Sequence, residues 1–496
     1  MKSLYMLSLA ALSSLLVFDG AAAEQQAVTG HAVKEHAAIG HEPAPMVQVW
    51  ATTSDRSYAL TALPSATTGE AATSDVRIAI DPGRRYQDIL GFGAAVTDSS
   101  AWLIQRRMRA DQRDALLREL FGRDGGIGLG FTRMTIGASD FSLSHYSLDD
   151  PPRGKADRKL RHFRVAPQTQ DVFTVVRAAR AINPQLRTMA SPWSAPGWMK
   201  SGGSMIKGTL REDAYDAFAR YLLKYVDAAA SKGVPIFALT LQNEPAFEPE
   251  NYPGMRLGAD QRIALIGKHL GPLLKASGRD IRILDWDHNW DMPEEPTAVL
   301  SDPEASAYVD GVAWHCYGGD IAAQSQVHDR FPSKSVYLTE CSGGDWEPVR
   351  SGGMTMLARQ LIIGGTRHWA RGVLLWNLAL DETSGPHAGG CSNCRGVVTI
   401  DSRTGAVTRN DEYYVLAHAS RFVRPGAHRI ESSAGADDVD NVAFANADDG
   451  SVAMIVTNSS TSTRTIAVAY AGRTFRYALV PKSLYTFTWP GQAAAR

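Results

Sequence analysis

The stretch FALTLQNEP, residues 237–245, starts with alternating apolar and small residues and ends in an ionisable side chain, Glu244, followed by Pro245. Such a run is typical of a short buried strand. A carboxylate at the end of a buried strand is energetically costly, because burial disfavours the charged form. The stretch therefore indicates a strand that delivers an acid to a functional site.

Seven other runs between residues 89 and 380 have the same character. The eight runs are ILGFGAAVTDS (89–99), FTRMTIGASDF (131–141), LRTMASPWS (186–194), IFALTLQNE (236–244), IRILDWD (281–287), VDGVAWHCY (309–317), SVYLTE (335–340) and GVLLWNLAL (372–380). Amphipathic helices lie between them, and two are predicted to end at Asn183-Pro184 and near Lys232-Gly233. Eight strands alternating with helices favour an α/β fold, a closed parallel (β/α)8 TIM barrel, which leaves no strand edge unpaired. An open doubly wound sheet is the alternative, but no Gly-rich phosphate loop supports it.

The alternation of strands and helices is absent at both ends of the chain. After residue 396 the helical spacing largely disappears, and short alternating strands suggest an accessory antiparallel β-sandwich. Three short strands between residues 47 and 82 are expected to join it. The predicted domains are a signal peptide (1–23), a flexible linker (24–46), N-terminal strands of the sandwich (47–84), the catalytic barrel (85–395) and the C-terminal sandwich (396–496).

The first residues and the overall charge restrict where the protein acts and what it binds. Lys2, an apolar run to about Phe18 and small residues up to Ala23 have the three-part form of a secretory signal. We therefore expect a secreted or periplasmic protein without integral membrane association after cleavage. The 51 Lys and Arg nearly balance the 52 Asp and Glu, so a nucleic acid partner is not expected and a neutral ligand fits better.

The chain has four cysteines. In an oxidising compartment, Cys391 and Cys394 in GGCSNCRG are candidates for a disulfide that pins a small loop. A zinc site would require two further ligands, so no metal is expected. Cys316 and Cys341 have the character of small buried residues.

Polar or aromatic side chains end the predicted strands and would converge on one opening of a barrel. They are Asp98, Asp140, Trp193, Asn243 with Glu244, Trp286 with Asp287, Trp314 with His315 and Tyr317, Glu340, and Trp376 with Asn377. Either glutamate alone would be read as a solvated or salt-bridged group. Together, Glu244 on strand 4 and Glu340 on strand 7 would face each other across the barrel. Two carboxyls about 5–5.5 Å apart hydrolyse a glycosidic bond with retention, one as acid and the other as nucleophile.

Six motifs occur in a characteristic order: GFGAAVTDSS, SPWSAPGWMKSGG, LTLQNEP, AWHCYGG, YLTECSGG and LLWNLALD. Over about residues 80–490 the chain resembles the glucosylceramidase-like enzymes of glycoside hydrolase family 30. The resemblance implies that Glu244 is the acid/base and Glu340 the nucleophile. It also implies that the terminal glucose is held by Asp98, Trp193, Asn243 and Trp376, with His315 and Tyr317 near the nucleophile. One departure is Cys316, where animal lysosomal members carry Trp.

The expected function is retaining hydrolysis of β-glucosidic bonds in glucosylceramide or a similar β-glucoside, without a cofactor. An alternative within the same class is an endo-acting β-1,6-glucanase, which would use the same glucose subsite and a groove extended outward. A secreted carbohydrate-binding protein without catalytic activity is a further alternative. The presence of both glutamates argues against it.

Overall fold

The computed structural model describes residues 46–346, 353–436 and 438–491, which belong to one compact unit, Pro45–Arg496. The predicted signal peptide (1–23) and all but the last residue of the predicted linker lie outside the described residues. None of the helices in the described ranges combines the length and the hydropathy that crossing a membrane requires.

Eight parallel strands close into a barrel, which confirms the predicted TIM-barrel fold. In chain order they are β1 (Gly91–Ala95), β2 (Phe131–Ile136), β3 (Arg187–Pro192), β4 (Ala238–Thr240), β5 (Arg282–Asn289), β6 (Val309–His315), β7 (Ser335–Glu340) and β8 (Ala370–Asn377). Each strand pairs with the next one along the chain, and β8 pairs with β1. Their carboxyl ends therefore meet at one opening.

An apolar layer with one side chain from each of seven strands fills part of the barrel interior. Its members are Phe131, Met189, Ala238, Leu284, Ala313, Tyr337 and Leu374. Because side chains alternate between the two faces of a strand, the residue two positions later on each strand also points inward. The layer thus supports a second set of inward side chains that lies closer to the carboxyl ends of the strands.

Helices connect the strands of the barrel, and both predicted helices are confirmed. The first, Pro167–Ile182, ends at its cap residue Asn183, and the second, Tyr215–Ser231, is followed by Gly233 with φ 78°. The other α-helices are Asp98–Trp102, Ala110–Phe121, Ala259–Ala264, Gly271–Ser277, Glu294–Ser301, Pro303–Ser306, Ala322–Arg330, Gly353–Leu357, Gly365–Arg367 and Asp411–Ser420. Three π-helical segments (Leu103–Arg107, Leu265–Leu270 and Ala358–Gly364) and two 3-10 turns (Gly197–Met199 and Glu212–Ala214) complete the helical set of the described residues.

The accessory sheet is built from both chain ends, as predicted. Its nine strands are Val47–Thr53, Thr61–Thr68, Val76–Asp88, His428–Ser432, Val439–Ala445, Val452–Asn458, Arg464–Tyr470, Arg473–Leu479 and Ser483–Trp489. They form a closed hydrogen-bonded ring, in which Val47–Thr53 pairs with Ser483–Trp489. One pair, Val76–Asp88 with Arg464–Tyr470, is parallel, so the predicted purely antiparallel pairing is wrong at this position. These two strands come from opposite ends of the chain, and no hairpin forces them to run antiparallel.

The segment that follows the barrel also differs from the prediction. The first strand after residue 396, Val398–Ile400, pairs with Ala379–Leu380 and Val407–Arg409 in a separate three-stranded sheet. The helix Asp411–Ser420 comes next, and the chain enters the accessory sheet only at His428. Alternating apolar residues do not reveal which sheet a strand will join, because that choice depends on distant partners.

Candidate active site

Three polar side chains that the sequence singled out meet at the carboxyl ends of the barrel strands. Glu340 is the last residue of β7 and His315 is the last residue of β6. Glu244 lies four residues beyond the end of β4, in an irregular turn. The parallel closure of the sheet brings these three residues together, although they span almost one hundred positions of sequence.

The turn after β4 holds Glu244 in an uncommon backbone conformation. Its φ is 47°, in the left-handed region, and its N–H donates to the carbonyl oxygen of Asp287 at 3.0 Å. The side chain of Gln242 donates to the carbonyl oxygens of Trp193 and Asn243, at 2.6 and 2.7 Å, and fixes the turn against β3. A non-glycine residue keeps such a conformation only where its surroundings enforce it, as is frequent at active sites.

The two glutamates form a close carboxylate pair. One oxygen of Glu244, one oxygen of Glu340 and one ring nitrogen of His315 all lie within 4.8 Å of one another. His315 Nδ1 is 3.2 Å from Glu244 Oε1, and its Nε2 is 3.9 Å from Glu340 Oε2. This spacing agrees with the ~5 Å of retaining glycosidases and is shorter than the ~6.5–9.5 Å of inverting enzymes.

A fully buried arginine, Arg133, supports the pair from the barrel interior. Its Nη2 donates to Asn243 Oδ1 and Asp287 Oδ2, each at 2.7 Å, and its Nη1 donates to Glu340 Oε2. Asp287 accepts in addition from His315 Nε2 at 3.0 Å. The remaining donors to Asp287 are the hydroxyls of Thr240, Thr339 and Ser191, at 2.7, 2.7 and 2.8 Å.

These side chains point into the barrel because every second residue of a strand faces the same side. Arg133 and His315 each lie two residues beyond a member of the apolar layer, and so do Thr240 and Thr339. On β5 the same count would give Trp286, but a register shift between Trp286 and His288 interrupts the ladder with β6. The bulge turns Asp287 inward instead of Trp286. Both Trp286 (φ 75°) and Asp287 (φ 56°) accordingly have left-handed backbone conformations.

Neighbouring charges determine how these groups ionise. Burial would raise the pKa of Asp287, but the charge of Arg133 and the hydrogen bond from His315 hold it well below its ordinary value. Burial would lower the pKa of His315, but Glu340, Asp287 and Glu244 raise it to about 9. Burial raises the pKa of Glu340, which His315 and Arg133 offset only in part. Burial opposes the charge of Glu244 too, but the hydrogen bond and charge of His315 prevail and lower its pKa.

In the free site, therefore, a proton rests on the imidazole of His315 beside Glu244. Glu244, His315 and Glu340 are also spaced closely enough for a metal ion. A metal would need a ring lone pair of His315, whereas both ring nitrogens already face carboxylates. It would also compete with the Arg133 guanidinium for Glu340. The arrangement fits proton transfer and nucleophilic attack better than metal binding.

Trp193 and Trp376, which the resemblance assigns to the glucose subsite, pack against each other beside the arginine that supports the pair. Their ring centroids are 4.7 Å apart with an interplanar angle of 20°, so the two indoles stack on each other. The guanidinium carbon of Arg133 lies 4.7 Å from the Trp193 ring centroid and 5.5 Å from that of Trp376. Both tryptophans are buried, so little of either ring is exposed in the free site.

Asp140 was recognised only as a strand-end residue, and the structure places it in the site. Burial and the charges of Glu340 and Glu244 raise its pKa to about 8, although a hydrogen bond from Trp376 opposes this shift. Its Oδ1 is buried and has no hydrogen-bond partner among the described residues. A protonated carboxyl with an unused oxygen is suited to a ligand hydroxyl.

Two predicted ligand-binding residues have a donor near the pair. The hydroxyl of Tyr317 donates to Glu340 Oε1 at 3.0 Å, while much of its ring is exposed. Asn243 accepts from Arg133 through Oδ1, which orients its amide nitrogen as the remaining donor. The position beside Glu244 fits a hydrogen bond to a sugar 2-OH.

Asp98 does not join this cluster. It is buried at the start of the helix Asp98–Trp102, where its Oδ2 accepts from Ser142 Oγ at 2.6 Å and from Tyr146 Oη at 2.9 Å. Burial raises its pKa to about 7. Asp98 thus anchors the segment after β2, which carries Asp140, and it has no hydrogen bond to either glutamate in the described structure.

The structure contains two disulfides. Cys391 is bonded to Cys394, and both lie against the aromatic cluster around Trp193 and Trp376. Cys316 and Cys341, which the sequence suggested as small buried residues without indicating a bond, are bonded to each other. Each follows a site residue, His315 or Glu340, on adjacent strands, so the disulfide joins the ends of β6 and β7.

Two models of known protein families match adjoining parts of the chain. A model described as the glycosyl hydrolase family 30 TIM-barrel domain matches residues 89–423. A second, described as the glycosyl hydrolase family 30 beta sandwich domain, matches residues 426–487. The boundary between the two matches lies after the helix Asp411–Ser420, which agrees with the connectivity of the structure.

Individual relatives cover most of the chain. An endo-1,6-β-D-glucanase of Neurospora crassa is 33% identical over 90% of this chain and 96% of its own length. The lysosomal acid glucosylceramidase of Mus musculus is 30% identical over 84% of each chain. Among solved structures, an endo-β1,6-glucanase has a TM-score of 0.83 and 31% identity, and the match covers 90% of this chain and 100% of that one.

Proposed function

This chain belongs to glycoside hydrolase family 30, and from that premise we propose that it is a retaining endo-β-1,6-glucanase. The observation that carries the chemistry is the pair of carboxylates, with oxygens of Glu244 and Glu340 within 4.8 Å of each other at the barrel opening. Family membership makes the protein a glycosidase. The roles of individual residues and the choice of substrate are part of the proposal.

The similarity to endo-1,6-β-glucanases supports a glucan substrate. The Neurospora crassa enzyme aligns over nearly its whole length, and the solved endo-β1,6-glucanase is similar in both sequence and fold. Glucosylceramide, which the sequence placed first, becomes the second candidate, since the mouse lysosomal glucosylceramidase aligns over less of its length. Both substrates present a β-linked glucose to the same carboxylate pair.

In the first step of the proposed reaction, an oxygen of Glu340 forms a bond to the anomeric carbon while the glycosidic C–O bond breaks. The leaving oxygen takes the proton shared by His315 and Glu244. Formation of the ester removes the negative charge of Glu340, and that charge is one cause of the high pKa of His315. The imidazole therefore releases its proton toward Glu244 Oε1 at the stage when the leaving group needs it.

In the second step, the water oxygen attacks the anomeric carbon and displaces Glu340, while the water gives a proton to Glu244. Once Glu340 is charged again, Glu244 passes this proton back to His315 Nδ1, which restores the starting state. Two successive inversions return the β configuration. Arg133 and Tyr317 then again stabilise the carboxylate of Glu340, through the donors described above. No step in this cycle requires a cofactor.

Product analysis tests the proposal. We expect the enzyme to cleave β-1,6-glucan into oligosaccharides of mixed length, with the β anomer as the first product seen by NMR. The same preparation is assayed on β-1,3-glucan, xylan and glucosylceramide, with Glu340→Gln as the inactive control. A higher kcat/KM on glucosylceramide than on β-1,6-glucan would contradict the proposed substrate, and an initial α anomer would contradict the mechanism.

A further inference from the structure

The accessory sheet contains a cleft where its hydrogen-bonded ring is weakest. The strands Thr61–Thr68 and Arg473–Leu479 pair at only two positions, Thr67 with Arg476 and Thr68 with Phe475. The earlier part of the first strand pairs instead with Val47–Thr53. The two neighbouring strands therefore separate, and a cleft of about 350 Å³ opens between them.

Aromatic rings and hydroxyl groups dominate the lining of this cleft. The side chains relevant here are Tyr58, Ser65, Thr67, Arg476, Tyr477 and Tyr485. Tyr485 is buried, and its ring centroid lies 5.8 Å from that of Tyr477. Tyr58 and Tyr477 are half-buried and contribute ring surface to the wall.

Several of these hydroxyls have no hydrogen-bond partner in the part of the chain that the structure describes. In the described residues, no hydrogen bond involves the hydroxyl of Tyr58, Ser65, Thr67 or Tyr477. A neutral molecule with both apolar faces and hydroxyl groups would use the rings and the hydroxyls together. A cyclic sugar unit has this chemistry.

The charge in the cleft argues against an anionic ligand. Arg476 is the charged side chain in the lining, and its Nε and Nη2 donate to the two carboxylate oxygens of Asp75 at 2.6 and 2.8 Å. This bidentate pair neutralises the guanidinium and leaves it less available to a phosphate or carboxylate. A cleft of this size, about 350 Å³, is within the ~300–1,000 Å³ usual for small-ligand sites.

From these observations we propose that the cleft is a second saccharide-binding site, which holds glucose units of the β-glucan polymer away from the barrel opening. The proposal rests on the glucanase function proposed above for its choice of polymer. The cleft and the barrel belong to the same compact unit, so a glucan chain long enough to occupy both sites would bind more tightly than one that occupies either site alone. A short substrate fills only the barrel site and gains nothing from the cleft.

Binding is measured on the full chain in a Glu340→Gln background, where the polymer remains intact. The probe is soluble β-1,6-glucan in affinity gel electrophoresis, with β-1,3-glucan and xylan in parallel gels. We expect Tyr58→Ala/Tyr477→Ala to weaken retardation by about tenfold, which corresponds to ~1.4 kcal/mol. Tyr470→Ala, a tyrosine of the same sheet outside the cleft, is the matched control and should bind like the parent.

Activity is compared in the chain with Glu340 intact. The double alanine variant should lose activity on long glucan and keep the parent kcat/KM on an aryl β-glucoside. Tyr58→Phe/Tyr477→Phe keeps the rings and removes the hydroxyls, so a partial loss of binding is expected even if the alanine variant does not fold. The proposal would be overturned if both double variants were retarded as strongly as the parent in every gel. A parent that does not hydrolyse β-1,6-glucan but is retarded through these tyrosines would instead refute the glucanase and keep the site.

Discussion

At the scale of single residues, the site is organised around one proton. His315 lies between Asp287 and Glu244, and its two ring nitrogens face one carboxylate each. The raised pKa of His315 and the lowered pKa of Glu244 place that proton on the ring in the free site, and the proposed mechanism releases it when Glu340 reacts. In the proposed mechanism, Glu244 passes this proton from His315 to the leaving oxygen.

This relay predicts how a Glu244→Ala variant responds to the leaving group. Hydrolysis of a substrate with a poor leaving group should slow by about 10²–10⁴-fold, whereas cleavage of an activated aryl glucoside to the glycosyl-enzyme needs no proton and should slow much less. Pre-steady-state measurement of aryl alcohol release separates this step from ester hydrolysis. Equal losses on both substrates would show that Glu244 is not the acid.

Glu340→Gln is the matched comparison for that experiment. It removes the proposed nucleophile, so activity on both classes of substrate should fall to the same extent. Azide provides a further test in Glu244→Ala, because a small anion can enter the space left by the side chain and attack the ester without a general base. A β-glycosyl azide product would confirm both roles, and an α product would contradict them.

Sequence alone singled out the residues that do the proposed chemistry, with Asp287 and Asn243 beside them, but it missed Arg133, which holds them together. Glu244, Glu340 and His315 lie at or just beyond the carboxyl ends of predicted strands, where functional residues of a TIM barrel are expected. Arg133 lies inside the apolar run FTRMTI, and a charged residue in a strand is normally expected to face solvent. Arg133 can be buried because it pairs with Asp287, which is 154 positions away in the sequence. Asp287 points inward because of a bulge in β5, and the local sequence pattern does not predict that bulge.

At the scale of elements, β6 and β7 form a unit with a covalent link. Their register pairs Glu340 with His315, so the next residues on the two strands, Cys341 and Cys316, are adjacent as well. The sequence predicted both strands but not their register near the ends, and the disulfide depends on that register. The link restrains the two strand ends that carry Glu340, the proposed nucleophile, and His315.

Removal of this link should affect turnover more than binding. We expect Cys316→Ser/Cys341→Ser to lower kcat by roughly ten- to a hundredfold with a smaller change in KM, because small misplacements of reacting groups are costly. Steady-state kinetics on an aryl β-glucoside provide the measurement. An unchanged kcat would show that hydrogen bonds alone hold the two strand ends in place.

A chemical reductant tests the same link without a substitution in β6 or β7. In a Cys391→Ser/Cys394→Ser background, the chain's only other cysteines are Cys316 and Cys341. Reductant should slow this variant to the rate of the Cys316→Ser/Cys341→Ser enzyme. A chain with all four cysteines replaced should not respond, which controls for effects of the reductant itself.

At the scale of the whole molecule, the helix Asp411–Ser420 connects the barrel to the accessory sheet. His418 on this helix is buried, and its Nε2 and Nδ1 lie 2.9 Å from the hydroxyls of Thr52 and Thr486, which belong to strands from opposite ends of the chain. The Thr486 hydroxyl donates to the carbonyl oxygen of His418, so it accepts from Nδ1, and Nε2 accepts from Thr52. A neutral imidazole satisfies this arrangement. The sequence predicted that both chain ends share one sheet, but it did not predict this helix.

The neutral state of His418 gives the last prediction. Burial lowers its pKa to about 3, compared with ~6.5 for an unfolded chain, so between these values the unfolded state binds a proton that the folded state does not. The stability of the protein should therefore fall as the pH decreases from ~6.5 toward 3. His418→Gln should be less stable than the wild type at pH 7 by ~1–3 kcal/mol, because buried partners are left unsatisfied, and its stability should fall less on acidification. Urea unfolding from pH 8 to pH 4 measures both effects, with the exposed His162→Gln as control. Carboxylates that titrate in the same range affect all three proteins alike. Parallel curves of unfolding free energy against pH for His418→Gln and wild type would therefore show that His418 is already charged in the folded protein.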